Sequence, residues 1–104
     1  MSKVKITVIK KMGLEEVYGD ALPNVSNTFQ SPCTQPFQEG DVFISNNGEN
    51  PEGFCAWAFA DLQRDIIHLR FGGDYPWMAD KGVTYQCCTD GLRPVFFKLE
   101  RIAD

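Results

Sequence analysis

PEGFCAWAFADLQRDIIHLRFGG, residues 51–73, is the stretch of this chain that sustains an apolar period of three to four residues. Phe54, Trp57, Ala58, Leu62, Ile66 and Leu69 fall on one side of a helix, while Asp61, Arg64, Asp65 and His68 share the other. Asn50 supplies a cap, and Pro51 suits the first helical position because its missing N–H would have no partner there. Gly72 and Gly73, following Phe71, supply the stop, since glycine tolerates the left-handed conformation that ends helices. The spacing therefore predicts one main helix over 51–70. A helix with a single apolar stripe needs a second layer to bury it.

Outside the helix the period changes to two. KVKITVIKK, residues 3–11, alternates Val4, Ile6 and Val8 with Lys3, Lys5 and Thr7, the pattern of a strand with one buried face. EGDVFIS reads as a turn leading into a short strand over 41–46, which NNGEN then breaks. VTYQCC and PVFFKLERI flank TDGLR and predict an antiparallel hairpin of strands 83–88 and 94–102, with Asp90 and Gly91 in its turn. Pro94 cannot donate to a ladder, so it opens its strand. The expected fold class is α+β: a mostly antiparallel sheet of about four strands covered on one face by one main helix. LEEVY, residues 14–18, adds a helical turn, and residues 19–40 form a long ordered loop without a period, with Val25, Phe29 and Phe37 as its anchors. A length of 104 residues suits one domain, 1–104, whose core needs neither disulfide nor metal.

Composition narrows the function classes. A hydrophobic fraction of 43% against 23% charged residues is that of a packed globule and not of a disordered chain. Residues 12–63 hold eight Asp or Glu and no Lys or Arg, within a net charge of −4. Such a field repels phosphate backbones, so no nucleic acid is expected as a partner, whereas the acidic stretch 12–63 is a candidate surface for a protein partner. Lys3, Lys5, Lys10 and Lys11 read as solvated guards of an edge strand. These lysines interrupt the N-terminal segment, and no apolar run is long enough for a signal peptide or a bilayer span. The expectation is a cytoplasmic protein with no membrane contact and with reduced thiols.

Those thiols are the main candidates for chemistry. Cys33, Cys55, Cys87 and Cys88 show no two-residue spacing of a zinc knuckle, so any centre they make must be assembled by the fold. In a regular strand, neighbouring side chains alternate; Cys87 then points inward with Val83 and Tyr85, and Cys88 outward with Thr84 and Gln86. Cys55, near the helix start, would meet Cys87 where the helix covers the sheet, with Cys33 as a third sulfur and Cys88 joining only through a bulge. Such a cluster would hold a thiolate-bound metal such as zinc or iron. His68 lies thirteen helical steps from Cys55, roughly 20 Å away, and belongs to the solvated side instead. The same residues also permit thiol chemistry, because a helix N-terminus favours a thiolate at Cys55 and Arg93 would do so at Cys87 or Cys88. They equally permit a packing role, since buried cysteine is a small hydrophobe.

Two further groups stay open between structure and binding. Trp57, Phe59, Phe71, Tyr75 and Trp77 form either an apolar pocket with Asp74 at its mouth or a sealed core corner. Asp90 and Arg93 either clamp the hairpin turn or address a ligand. Trp57, Trp77, Asp90 and Arg93 are accordingly the candidate ligand-binding residues.

GFCAWAFAD (53–61), FGGDYPW (71–77) and CCTDGLRPVFFKLERI (87–102) resemble the motifs of a family of small, uncharacterised prokaryotic proteins of about a hundred residues, frequent in anaerobes. Members of that family carry GFCDWAW and CCTDGxRPVIFKLE. Here Ala56 stands in place of the aspartate and Phe59 in place of the second tryptophan. The likeness covers nearly the whole chain but implies no activity. With Cys33 standing ahead of FQEGDVF (37–43), which also matches, it sets all four cysteines inside recognisable motifs, and an anaerobic setting suits thiol or thiolate–metal chemistry. The leading expectation is a small cytosolic accessory protein that binds a metal or small ligand through its cysteines. The alternatives are a thiol-dependent redox enzyme and an interaction module whose cysteines only pack.

Overall fold

A computed structural model describes residues 3–26, 33 and 35–103. Within these residues the order is β1 (Lys3–Lys11), α1 (Leu14–Tyr18), β2 (Val42–Ser45), α2 (Ala56–Arg70), β3 (Val83–Cys87) and β4 (Val95–Ile102). Phe29, the expected loop anchor, lies outside the described residues. The strands form one sheet in the order β2-β1-β4-β3 with every pairing antiparallel, and α2 packs on one face. This is the α+β arrangement that the alternating periods predict.

The sheet order corrects the reading of the lysines. β1 pairs with both β2 and β4, so it is an interior strand and its lysines guard no edge. Lys11 instead ties the end of the long loop to the end of β1. Its Nζ donates to the carbonyls of Gln35 at 3.2 Å and Phe37 at 3.1 Å, and its backbone N–H donates to Glu39 Oε2 at 2.9 Å. A register shift between Val8 and Lys10 leaves Ile9 and Lys10 both exposed while Val4, Ile6 and Val8 stay buried.

Those three residues, with Val95, Phe97 and Leu99 of β4, meet Ala58, Phe59, Leu62, Ile66 and Leu69 of α2. Full burial of Leu62, Ile66 and Leu69 stabilises by roughly 1.5–3 kcal/mol each. Phe37 and Phe54 complete the core from irregular segments, their rings 6.0 and 5.4 Å from that of Phe97.

Phe54 also explains why the helix starts later than predicted. Gly53 adopts φ +80°, the Phe54 N–H closes a turn onto the Pro51 carbonyl at 3.1 Å, and Cys55 becomes the N-cap. Left-handed backbone at Gly53 is incompatible with helix, and it swings the Phe54 ring down among Phe37, Phe43 and Phe97. Asn50 and Pro51 therefore do not cap α2. The helix phase also departs from the predicted stripe: Trp57 is 64% exposed, while Phe59 and Asp65 are buried.

The far end behaves as the glycines predict. Gly72, at φ +88°, donates its N–H to Leu69 O at 3.0 Å, and the Gly73 N–H reaches His68 O at 2.8 Å, which satisfies two of the last helical carbonyls. A Cβ on Gly73 would run into the exposed His68 ring, which would have to swing aside. Arg101 of β4 completes the end cap by donating to Leu69 O at 3.1 Å, Gly73 O at 2.7 Å and Asp74 Oδ1 at 3.0 Å. That guanidinium, with the Gly82 N–H, holds the Asp74 carboxyl below its ordinary pKa. Asp74 is thus a latch and not the mouth of a pocket. His68 is exposed, as expected; its Nε2 faces the Asp74 carbonyl at 3.0 Å, and because a carbonyl only accepts, that nitrogen carries the proton.

The predicted aromatic cluster is dispersed. Phe59 is in the core, Phe71 lies exposed against Arg70, Tyr75 packs between His68 and Trp77, and Trp57 sits at the opposite end of α2.

Candidate functional site

The hairpin decides which sulfurs converge. Thr84 pairs with Leu99 and Gln86 with Phe97, and since Leu99 and Phe97 face the helix, Thr84 and Gln86 face it too. Val83, Tyr85 and Cys87 consequently turn to the open face, and Cys87 is exposed whereas Cys88 is buried. This inverts the expectation that Cys87 looks inward. Both alternating sets of this strand mix apolar and polar residues, so the phase comes from β4.

Beyond β3 the chain wraps around the Cys88 sulfur. The Cys88 N–H donates to Val95 O at 3.0 Å, and the Val95 N–H donates back to Cys88 Sγ at 3.3 Å. Burial pushes the Cys88 thiol above its ordinary value, against the opposing pull of backbone N–H groups at Val95 and Asp90. The nearby Cys33 sulfur contributes in the same direction as burial. Asp90 Oδ1 accepts the N–H groups of Leu92 at 2.9 Å and Arg93 at 3.0 Å, and Asp90 Oδ2 stands 3.6 Å from Arg93 Nε. The turn-clamping reading of this pair is the one the geometry displays.

The loop is also pinned to both helices. Trp57 Nε1 donates to Thr89 Oγ1 at 2.9 Å, while the Thr89 N–H and hydroxyl donate to Asp61 at 2.7 and 3.0 Å. Tyr18 of α1 donates its hydroxyl to Gly91 O at 2.5 Å. Between this loop, the start of α2 and the end of the long loop lies a pocket of about 490 Å³. Cys33, Cys55 and Cys88 line it, together with Trp57, Asp90 and Arg93. Phe37, Ala58, Leu92 and Val95 supply apolar wall.

Six of the eight candidate residues therefore meet. Cys87 lies on the opposite sheet face, and Trp77 stacks on Tyr75 at 5.0 Å, away from the pocket lining. Leu92 and Val95 carry no sequence signal of a binding role, although their place beside the CCTDG segment marks the right loop. All four cysteines are free thiols, and among the described residues no group of three or more His, Cys, Asp or Glu side chains is arranged to hold a metal ion. The four sulfurs do not form one centre: one points to the other face, and another is turned into the amides of its own loop.

The buried Cys88 makes one outcome measurable. The folded state holds this thiol protonated above the pH where an unfolded chain releases it, ordinarily near 9.0. Its contribution is complete below that pH and is lost as pH rises through the folded value. Urea unfolding at pH 8 and pH 10 should show a smaller alkaline loss in Cys88→Ser than in the parent, and equal losses would contradict the assignment.

Among the described residues no helix is long and apolar enough to cross a membrane. No family model, curated protein or solved structure matches this chain.

Proposed function

We propose that this chain is a small accessory protein that binds a compact organic ligand in the thiol-lined pocket. The observation that carries this reading is that cysteines from positions 33, 55 and 88, far apart in sequence, line one concave and largely apolar pocket. The volume of about 490 Å³ lies within the range typical of small-molecule sites. The lining has the usual division of labour: Phe37, Ala58, Leu92 and Val95 give contact area, Cys33 and Cys55 give orientation, and the Asp90–Arg93 pair holds the loop wall in shape. Folding also commits many polar contacts to the loop that forms one wall, which keeps that wall in place for a ligand.

Titration with benzoate and benzyl alcohol, followed by amide NMR, tests the reading. At least one probe should shift the amides of 56–58 and 89–95 saturably in the low-millimolar range. Leu92→Trp, which fills the pocket from the loop after β3, should abolish those shifts while leaving the β1 amides unchanged. Non-saturable shifts, or shifts indifferent to Leu92→Trp, overturn it. Elemental analysis of tag-free protein purified anaerobically covers the metal form: stoichiometric zinc or iron lost on Cys55→Ser would replace the organic ligand with a thiolate-bound ion.

A further inference from the structure

The geometry points to a reaction at the same site: we infer that the pocket accepts a small organic disulfide and opens it by thiol–disulfide exchange through Cys55 and Cys33. This rests on the pocket being a ligand site and adds the ligand's chemical class.

Three features carry it. The pocket gathers three free thiols, more than orientation of a ligand requires. The thiols are also unequal. Cys88 is buried with its sulfur accepting a loop amide, whereas Cys33 and Cys55 are partly buried at the cavity. Cys55 is the N-cap of α2, yet its side chain makes no capping hydrogen bond, and the residue lines the pocket. Finally, Phe37 and Trp57 beside the thiols suit a divalent-sulfur ligand, since sulfur packs favourably against aromatic rings.

The chemistry balances without a further oxidant. Cys55, as thiolate, attacks one sulfur of R–S–S–R; the Cys55 Sγ–S bond forms as the R–S–S–R bond breaks, and RS⁻ leaves and takes a proton from water. Cys33, as thiolate, then attacks Cys55 Sγ, which forms the Cys33–Cys55 disulfide and expels the second RS⁻. The two protons lost by the protein thiols match those gained by two RSH. Two electrons pass from protein to substrate. Cys87, exposed on the other face, takes no part.

The test uses reduced full-length protein mixed rapidly with dithiobis-nitrobenzoate, a small aromatic disulfide. In Cys87→Ser, a fast phase should release two thionitrobenzoates per chain, and peptide mapping should recover a Cys33–Cys55 bridge. That phase should be about tenfold faster than the reaction of Cys87 in Cys33→Ser/Cys55→Ser, although Cys87 is the most exposed thiol. Rates that simply follow exposure, mixed disulfides that persist at Cys33 and Cys55, or a bridge involving Cys88 overturn the inference. Nitrobenzoate, which lacks the disulfide, separates the two levels. Saturable binding of it without exchange removes this inference and leaves the ligand site, whereas loss of both removes the site as well. Unchanged sheet amides in each variant show that the fold is intact.

Discussion

Truncating Phe97 to alanine is expected to lower the free energy of unfolding by about 3–5 kcal/mol, read from urea denaturation, and to weaken ligand binding at the pocket in whatever fraction stays folded. Phe97 is fully buried on β4, opposite Val8 of β1 and Gln86 of β3, so its ring stands at the centre of the sheet. It touches Phe37 and Phe54 at centroid distances of 6.0 and 5.4 Å. Phe37 is pocket wall, and Phe54 immediately precedes Cys55. A cavity here therefore removes the floor beneath two segments that form the pocket, one ending at Phe37 and one leading into Cys55. Phe97→Leu, with a smaller loss of volume, should keep the sheet and still loosen the pocket, which separates collapse of the fold from loss of the site. A loss below about 1 kcal/mol for the alanine variant would show that this ring does not sit where the core needs it.

Tyr75→Phe should cost about 1–3 kcal/mol, toward the upper end because the group left behind is a carboxylate. Asp65 is only 3% exposed, and its Oδ1 accepts the Tyr75 hydroxyl at 2.5 Å. Its Oδ2 has no hydrogen-bond partner among the described residues. Removing the one hydroxyl thus strips a buried carboxylate of the donor the structure supplies. Replacing both partners, in Asp65→Leu/Tyr75→Phe, should recover much of the loss, since two apolar groups leave no buried acceptor wanting a donor. The pH dependence follows the same contact. Burial, and then Asp65 beside it, hold the Tyr75 hydroxyl above its ordinary 10.0. Stability from this source is complete below that pH and falls as pH rises above it, and Tyr75→Phe should remove that part of the alkaline loss. An unchanged unfolding midpoint in Tyr75→Phe would show that the contact contributes nothing.

Much of the candidate site is visible in the residues themselves. Cys33, Cys55, Cys88, Asp90 and Arg93 stand out by their chemistry and by their place on the loop and hairpin, and each lines the pocket. Trp57 stands out as well, although for the wrong reason: it meets the pocket because it is turned out of the core and donates to Thr89. Cys87 and Trp77 are misplaced by a reading of the residues because a sulfur or an indole carries no local mark of which surface it will join. Asp65 reads as part of the solvated side because its neighbours on the helix are charged. Its burial follows from Tyr75 folding back over α2, an event ten residues further along the chain.

Periodicity in the chain alone determined the element types, their order and the α+β class, because the spacing of apolar residues along a segment is a property of that segment. The Gly72–Gly73 helix stop was equally local, since it depends on backbone freedom at two positions. Tertiary structure alone decided that β1 is interior, that Gly53 and Phe54 delay the helix, and that Cys88 rather than Cys87 faces the pocket. Each of these turns on what lies across space. A strand whose two faces are nearly equal in polarity takes its phase from the neighbour it pairs with, so β4 chose which sulfur is buried.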